Sequence, residues 1–253
     1  MKTEMRGRTA ILRLEIDPPG FIDDAMCQNI LDSLTTLIEG NDPDCLIITG
    51  RGSLFIRHYD VSAIAGLAKH ARKGTLTTND LHAGALIRLT RYVAGLDIPT
   101  ICAINGMCMG GGLELALCCD IRLAQTDVGA IGLPETSIGI FPAAGGTTRL
   151  SALIGRAAAT DFILRGRVVD AAGALEIGIV TETADDVMEL AMARASELTA
   201  RPRIGVSLAK RLIRAQAAAE IEAGLEAEQV AFLEALQDET ALAAMEAYVR
   251  SVS

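Results

Sequence analysis

With 253 residues, half of them hydrophobic, the chain is long enough for one large domain and can bury a sizeable core. Aromatics are only 3% of the residues and Trp is absent, so that core must be Ala, Leu, Ile and Val. The net charge of −9 argues against a nucleic-acid or anionic-membrane partner, since both need a basic face. The opening residues, MKTEMRGRTA, hold no apolar core of signal-peptide length, and no run is long and apolar enough to span a bilayer. The expected location is the cytoplasm. Six cysteines, at 27, 45, 102, 108, 118 and 119, form no CxxC pair and lie mostly in apolar runs. They read as small buried core residues rather than a disulfide framework. Histidines 58, 70 and 82 show no ligand spacing, so no metal site is expected.

In chain order, Ile11–Ile16 reads as a half-buried strand, ended by Asp17-Pro18-Pro19-Gly20. A helix from Asp23 or Asp24 to Ile38 is expected from the stripe Ile30, Leu31, Leu34, Leu37 and Ile38. Cys45–Thr49 is a buried strand, and Gly50-Arg51-Gly52-Ser53 opens a loop that runs to Asp60. Helix resumes near Val61, Lys69–Asn79 is polar and irregular, and Leu81–Leu96 is helical. Thr100–Ile104 and Asp120–Gln125 are strands on either side of a glycine-rich passage, and Asp127–Pro142 is a glycine-dotted loop. Helices then follow from Gly145-Gly146-Thr147 and over Ala157–Leu164, with turn and helix over Val168–Ile177 and a short strand over Ile179–Glu182. Beyond Asp185 the pattern is almost wholly helical: Val187–Ala200, Gly205–Ala217, an amphipathic helix marked by Ile221, Leu225, Phe232, Leu233 and Leu236, and a last one marked by Leu242, Met245 and Val249. This shift divides the chain into an α/β core, residues 1–190, and a C-terminal helical region, residues 191–253, whose apolar faces are expected to pack on a neighbouring subunit.

The passage Thr100–Cys119, TICAINGMCMGGGLELALCC, concentrates the chemistry. Three glycines at a helix start let the chain approach a ligand closely and aim free amides at it. Those amides sit at the positive end of the helix dipole, which suits an anion or a developing oxyanion. Glu114 is the only charged residue in the passage, and a carboxylate in such surroundings is either costly or a working acid or base. The blander alternatives are close helix packing for the glycines and a favourable dipole contact for Glu114.

Three blocks together resemble the crotonase superfamily, the enoyl-CoA hydratase/isomerase family. The first is Ile48-Thr49-Gly50-Arg51-Gly52-Ser53-Leu54-Phe55 through Asp60. The second is Ala103-Ile104-Asn105-Gly106 with Gly110-Gly111-Gly112-Leu113-Glu114-Leu115-Ala116 and Cys119-Asp120. The third is Gly132-Leu133-Pro134-Glu135, then Gly139-Ile140-Phe141-Pro142 and Gly145-Gly146-Thr147-Thr148-Arg149-Leu150. The resemblance spans most of the chain. It implies an α/β fold, a crotonase-like spiral of ββα repeats with trailing helices, assembled as a homotrimer or a dimer of trimers. It also implies an acyl-CoA thioester substrate with no cofactor beyond the coenzyme A that the substrate carries.

The chemistry implied by the resemblance is stabilisation of a thioester enolate by two backbone amides. One would belong to Gly111 and the other to Tyr59, with His58, Asp60, Gly110 and Pro134 as further substrate-binding positions. Aimed donors of this kind contribute roughly 3–4 kcal/mol each. Glu114 and Glu135 match the two glutamates of the hydratases. Together they can activate a water and protonate Cα in a syn-type addition to a 2-enoyl-CoA. Held close, like charges raise one pKa, so one carboxyl can stay protonated near neutral pH. Glu135 could otherwise be an ordinary surface glutamate after a loop proline.

The pattern departs from the family where His58 replaces a usual glycine and Tyr59 a frequent alanine. Either could narrow the acyl pocket, or supply acid–base chemistry for an isomerase, decarboxylase or C–C hydrolase reaction. The basic residue usual near Phe21–Met26 is missing, leaving Arg57, Lys69, Arg72 and Lys73 as candidates for the CoA phosphates. A third reading is a non-catalytic binding subunit, opposed by the acidic balance and the intact glutamate pair.

Overall fold

In the computed structural model, which describes residues 1–252, the apolar runs become the layers of one parallel sheet. The chain winds through successive units of long strand, short strand and helix. The first unit is β1 (Lys2–Arg6) and β2 (Thr9–Leu14), then β3 (Phe21–Ile22) and α1 (Asp24–Asn41). The second is β4 (Cys45–Gly50), β5 (His58–Tyr59) and the helices α2 (Val61–Arg72), α3 (Thr78–His82) and α4 (Ala85–Gly95). The third is β6 (Thr100–Ile104), β7 (Cys108–Met109) and α5 (Gly111–Ala116). The fourth is β8 (Ile121–Gln125), β9 (Ile131–Gly132), α6 (Gly146–Ile154) and α7 (Arg156–Leu164). β10 (Val168–Val169), α8 (Ala171–Glu176) and β11 (Glu182–Ala184) close the spiral, and α9 (Val187–Thr199), α10 (Arg203–Gln237) and α11 (Glu239–Val252) follow.

The long strands form a six-stranded sheet in the order β1-β2-β4-β6-β8-β11, parallel except for the β1–β2 hairpin at its edge. The short strands pair in two small sheets, β3-β5 and β10-β9-β7. A parallel sheet is covered on both faces, which is why β4 and β6 are buried at every position. Alternate side chains serve different cores. Leu46, Ile48, Cys102 and Ile104 face the main core with α1 and α4, whereas Ile47, Ile101, Ala103 and Leu123 face α9. All six cysteines are free and buried, as their apolar surroundings suggest.

The α/β spiral matches the expected class, and four local expectations change. The N-terminal residues form β1, a strand whose polar, partly exposed face gives no period-two signal. Leu81–Leu96 is not one helix: Gly84 separates α3 from α4, and a capping box between Thr77 and Asp80 starts α3 inside the segment read as irregular. The two helices expected over Gly205–Ala217 and from Ile221 are one continuous α10 of 35 residues, because Ala217–Ile221 contains good helix formers and no breaker. The last strand is displaced to Glu182–Ala184.

α10 reaches back across the body. Arg214 donates to the carbonyls of Ala94, Gly95 and Leu96 at the end of α4, and Lys210 pairs with Asp120 at 2.7 Å. The boundary expected near residue 190 falls within α9, which packs on the sheet. α10 and α11 instead close over α2 in a separate apolar cluster that includes Val61, Ala68, Leu236 and Met245. No helix among the described residues is long and apolar enough to cross a membrane.

Candidate active site

A cavity of about 370 Å³ opens where α2, α4, α5, the Pro134–Ile140 loop and the C-terminal helices meet. His58, Tyr59, Gly110, Gly111, Glu114, Pro134 and Glu135 all line it. Of the residues singled out in the sequence, Asp60 does not. Its carboxylate accepts from Ser62 N–H at 2.8 Å and caps α2 instead.

The glycines divide their work. Gly110 is the N-cap of α5 at φ 51°, a conformation that only glycine adopts readily, and a Cβ there would lie 3.1 Å from Glu135 Oε1. Gly111 is the first helical residue, whose N–H has no partner within its own helix. A Cβ on Gly111 would stand 3.5 Å from Tyr59 Cβ and 3.8 Å from Tyr59 N, so the two residues are neighbours on the cavity wall. Gly112 serves packing, since a Cβ there would meet Ile56 O at 2.3 Å. At the ends of β5, Arg57 N–H donates to Gly20 O and Asp60 N–H to Ile22 O, which fixes Tyr59 beside β3.

Glu114, 4% exposed, turns out of the first turn of α5 towards a second helix start. Its Oε1 accepts from Ala144 N–H at 2.6 Å and Gly146 N–H at 3.0 Å, at the start of α6. Burial, reinforced by the nearby charge of Glu228, pushes its pKa up to about 8 against the pull of those two amides. Glu135 begins a 3-10 turn, Glu135–Ile138, after Pro134. The residue is partly exposed, yet its Oε2 is buried without a hydrogen-bond partner. Burial first, and the charge of Glu114 second, hold its carboxyl well above the usual carboxylate range. Two buried carboxyls with raised affinity for protons on one cavity can hold a proton at neutral pH and pass it to a bound group.

His58 is 9% exposed and has both ring nitrogens engaged. Nδ1 lies 2.7 Å from Tyr59 O, a carbonyl that can only accept, so Nδ1 carries the proton. Nε2 therefore accepts from Tyr248 O–H, 2.7 Å away on α11. The ring stacks on Phe21 at 4.3 Å, and burial lowers its pKa below the ordinary histidine value. Tyr59 O–H donates to Asp24 Oδ1 at 3.1 Å. Both side chains are thus held by the protein.

Sequence reasoning missed Glu228 and Tyr248. Glu228 is 4% exposed and lies on the buried stripe of α10, three residues after Leu225 and four before Phe232. A carboxylate at helical spacing inside an apolar stripe was the available signal. The cations considered for CoA phosphates are engaged elsewhere or lie off the cavity. Lys69 pairs with Glu246 at 2.9 Å, Arg72 approaches Glu239 at 3.8 Å, Arg57 lies over the Phe21 ring, and Lys73 caps the end of α2.

Comparison with known proteins agrees with this geometry. Residues 7–251 match the family model described as enoyl-CoA hydratase/isomerase. An Arabidopsis thaliana protein named "Probable enoyl-CoA hydratase 2, mitochondrial" is 30% identical over 244 residues, covering 95% of this chain and 79% of that one. The crystal structure of carnitinyl-CoA hydratase from Mycobacterium avium aligns with a TM-score of 0.81 at 27% identity, covering 99% of this chain and 95% of that chain. Enoyl-CoA hydratase from Bacillus halodurans, at 18% identity, shares the fold with a TM-score of 0.85, covering 97% and 98%. A paired-carboxylate cavity beside a glycine-rich helix start, on a spiral matched over almost its whole length, places this chain in the enoyl-CoA hydratase/isomerase family.

Proposed function

We propose that the protein is an enoyl-CoA hydratase, adding water across the double bond of a 2-enoyl-CoA. The observation that carries this reading is the pair Glu114 and Glu135, both raised in pKa and both on the cavity that the Gly111 and Tyr59 amides line. The thioester oxygen takes hydrogen bonds from those amides as enolate charge develops on it. Glu114, supported by two backbone N–H groups, is the better carboxylate of the two and, in its ionised form, acts as base towards water. Glu135, with an unpartnered buried oxygen, is the better proton carrier and delivers a proton to Cα. One face of the double bond receives both parts of the water, a syn addition.

The acyl group is uncharged. Among the described residues no Lys or Arg lines the cavity, whereas Asp24 and Asp80 do, so a carboxylate or phosphate on the acyl chain would find no cation there to pair with. Ile64, Leu67, Leu81, Ile87 and Phe232 supply apolar wall instead. The occupied nitrogens of His58 remove the main motive for decarboxylase or hydrolase chemistry there. Assembly as a homotrimer or a dimer of trimers belongs to the same proposal. A panel of enoyl-CoA thioesters with products read by mass tests it: hydration adds 18 Da. Isomerised product of unchanged mass, or loss of carbon dioxide, would replace hydration with another reaction of the family.

A further inference from the structure

The start of α6 is shared by two buried carboxylates from different parts of the chain. Glu114 takes the Ala144 and Gly146 amides. Glu228 takes those between and beyond: Gly145 N–H at 2.7 Å and Thr148 N–H at 3.0 Å. It also accepts from the hydroxyls of Thr147 and Thr148, the latter at 2.8 Å. Its neighbour Gln229 donates to Ala143 O at 2.6 Å, so two consecutive residues of α10 grip the segment Ala143–Thr148. The segment has no room to shift. A Cβ on Gly146 would meet Pro142 Cβ at 2.4 Å and Glu114 Oε1 at 3.0 Å, and one on Gly145 would fall 1.7 Å from Arg149 Nη1. Four donors converge on the Glu228 carboxylate.

We infer that Glu228 is a positioning residue for the reaction: by clamping alternate amides of the α6 start it aims the Ala144 and Gly146 N–H groups at Glu114. The inference rests on the hydratase reading for its kinetic consequence and on the hydrogen bonds for its existence. The charged groups around Glu114 are Glu135 from the Pro134 turn, Glu228 from α10 and Arg149 from α6, with the Cys118 thiol donating to the Glu114 backbone carbonyl. Arg149 donates to Ala144 O at 3.0 Å and braces the same segment from within α6. Of these groups, Glu228 combines a like charge acting on Glu114 with a direct hold on the loop that ligates it.

The test compares Glu228→Gln and Glu228→Asp in the full chain, each checked for folding by circular dichroism. Glu228→Gln keeps the shape and removes the charge. It moves the limb of the kcat–pH profile that belongs to the glutamate pair to lower pH by about one unit or more. It also lowers kcat roughly 10- to 100-fold, with KM within about threefold of the parent. Glu228→Asp keeps the charge and shortens the reach, so kcat falls while the limb stays in place. An unmoved limb in a folded Glu228→Gln overturns the inference, as does an equal shift in Glu228→Asp. Should Glu228→Gln fail to fold, Glu228→Asp decides alone. A limb moved by about a unit in that variant overturns the inference, and lowered kcat with a fixed limb supports it.

A readout without turnover separates the two proposals. With Glu135→Gln as background, the infrared carboxyl band that a further Glu114→Gln change abolishes is assigned to Glu114, and adding Glu228→Gln to the Glu135→Gln background lowers the midpoint of that band. If the parent hydrates no enoyl-CoA, the hydratase reading fails, and this titration still decides the role of Glu228.

Discussion

Two glycine-rich helix starts stand on either side of Glu114, and they are used in opposite ways. At the start of α5, Gly110 and Gly111 turn towards the cavity, where Gly111 and Tyr59 are neighbours. At the start of α6, Gly145 and Gly146 are equally glycine-rich, yet their amides are filled by Glu228 and Glu114. Local sequence makes both places attractive to negative charge. What separates them is whether the fold brings a carboxylate from elsewhere. Where it does, the helix start becomes structure; where it does not, the hydratase proposal gives the Gly111 amide to a developing oxyanion.

The largest expected effect falls on the open site. Glu135→Gln keeps the shape of the side chain and removes the proton carrier, so turnover of an enoyl-CoA drops roughly 10²- to 10⁴-fold. Steady-state rates on a substrate that the parent accepts measure this, and full activity would remove Glu135 from the chemistry. The same Gly→Ala change at the two helix starts sharpens the contrast. Gly111→Ala puts a methyl 3.2 Å from the flexible Leu86 Cδ2, so the chain still folds, but the methyl crowds the thioester oxygen and costs about 10²-fold in kcat. Gly145→Ala must hold φ 102° and displace Arg149, and loses about 1–3 kcal/mol of stability, read by urea unfolding. Equal stability losses at the two sites would erase the distinction.

The protons on the buried pair also predict how stability depends on pH. Glu114 titrates at about 8 in the folded chain and near 4.5 without its surroundings. Between these values the native state keeps a proton that the unfolded chain has released, so stability falls as pH rises across this window. The slope is at most about 1.4 kcal/mol per pH unit for each group so displaced, and Glu135 adds to it in the same direction. Glu114→Gln retains an oxygen for the Ala144 and Gly146 amides and loses the charge. Its Tm should therefore exceed the parent's at pH 8 and converge with it near pH 5. A parent Tm that climbs from pH 5 to pH 8 would contradict the raised pKa values.

The open helix start was legible in the sequence because its signals are local. Three consecutive glycines, a lone glutamate and a buried strand fall within Thr100–Cys119. Glu135 was legible only through the family resemblance, since a glutamate after a loop proline is otherwise an ordinary surface residue, and both glutamates do reach one cavity. Glu228 lies 114 residues beyond Glu114 on a helix that was read as two pieces, and nothing near it announces the amides of Gly145 and Thr148. The long parallel strands were visible because burial on both faces makes them continuous apolar runs. β1, α3 and the unbroken α10 escaped because an exposed edge, a capping box and an uninterrupted helix carry little hydrophobic period. Tyr248 is the clearest case: its partner is His58, 190 positions away, and only the packing of α11 over α2 brings them together.

That last pair carries the smallest expected effect. His58 occupies the cavity wall, but its Nδ1–H is committed to the Tyr59 carbonyl and its Nε2 to the Tyr248 hydroxyl. A catalytic histidine needs at least one nitrogen facing the substrate. The pair instead fixes the β5 backbone that presents the Tyr59 amide and ties α11 to the cavity. Tyr248→Phe then removes one hydrogen bond at a cost of about 1 kcal/mol and leaves kcat within about threefold. The pH dependence has a definite sign. Burial lowers the His58 pKa, so below the ordinary histidine range the unfolded chain takes up a proton that the native state resists, and stability is lost on acidification. Protonated Nε2 could no longer accept from Tyr248, whose hydroxyl would have to turn and accept from it instead. His58→Ala should flatten that acid-side loss while retaining hydration of enoyl-CoA. A variant that folds and loses turnover by a factor of about 10³ or more would instead give His58 a part in the chemistry, and would close the gap between this wall of the cavity and the glutamates opposite it.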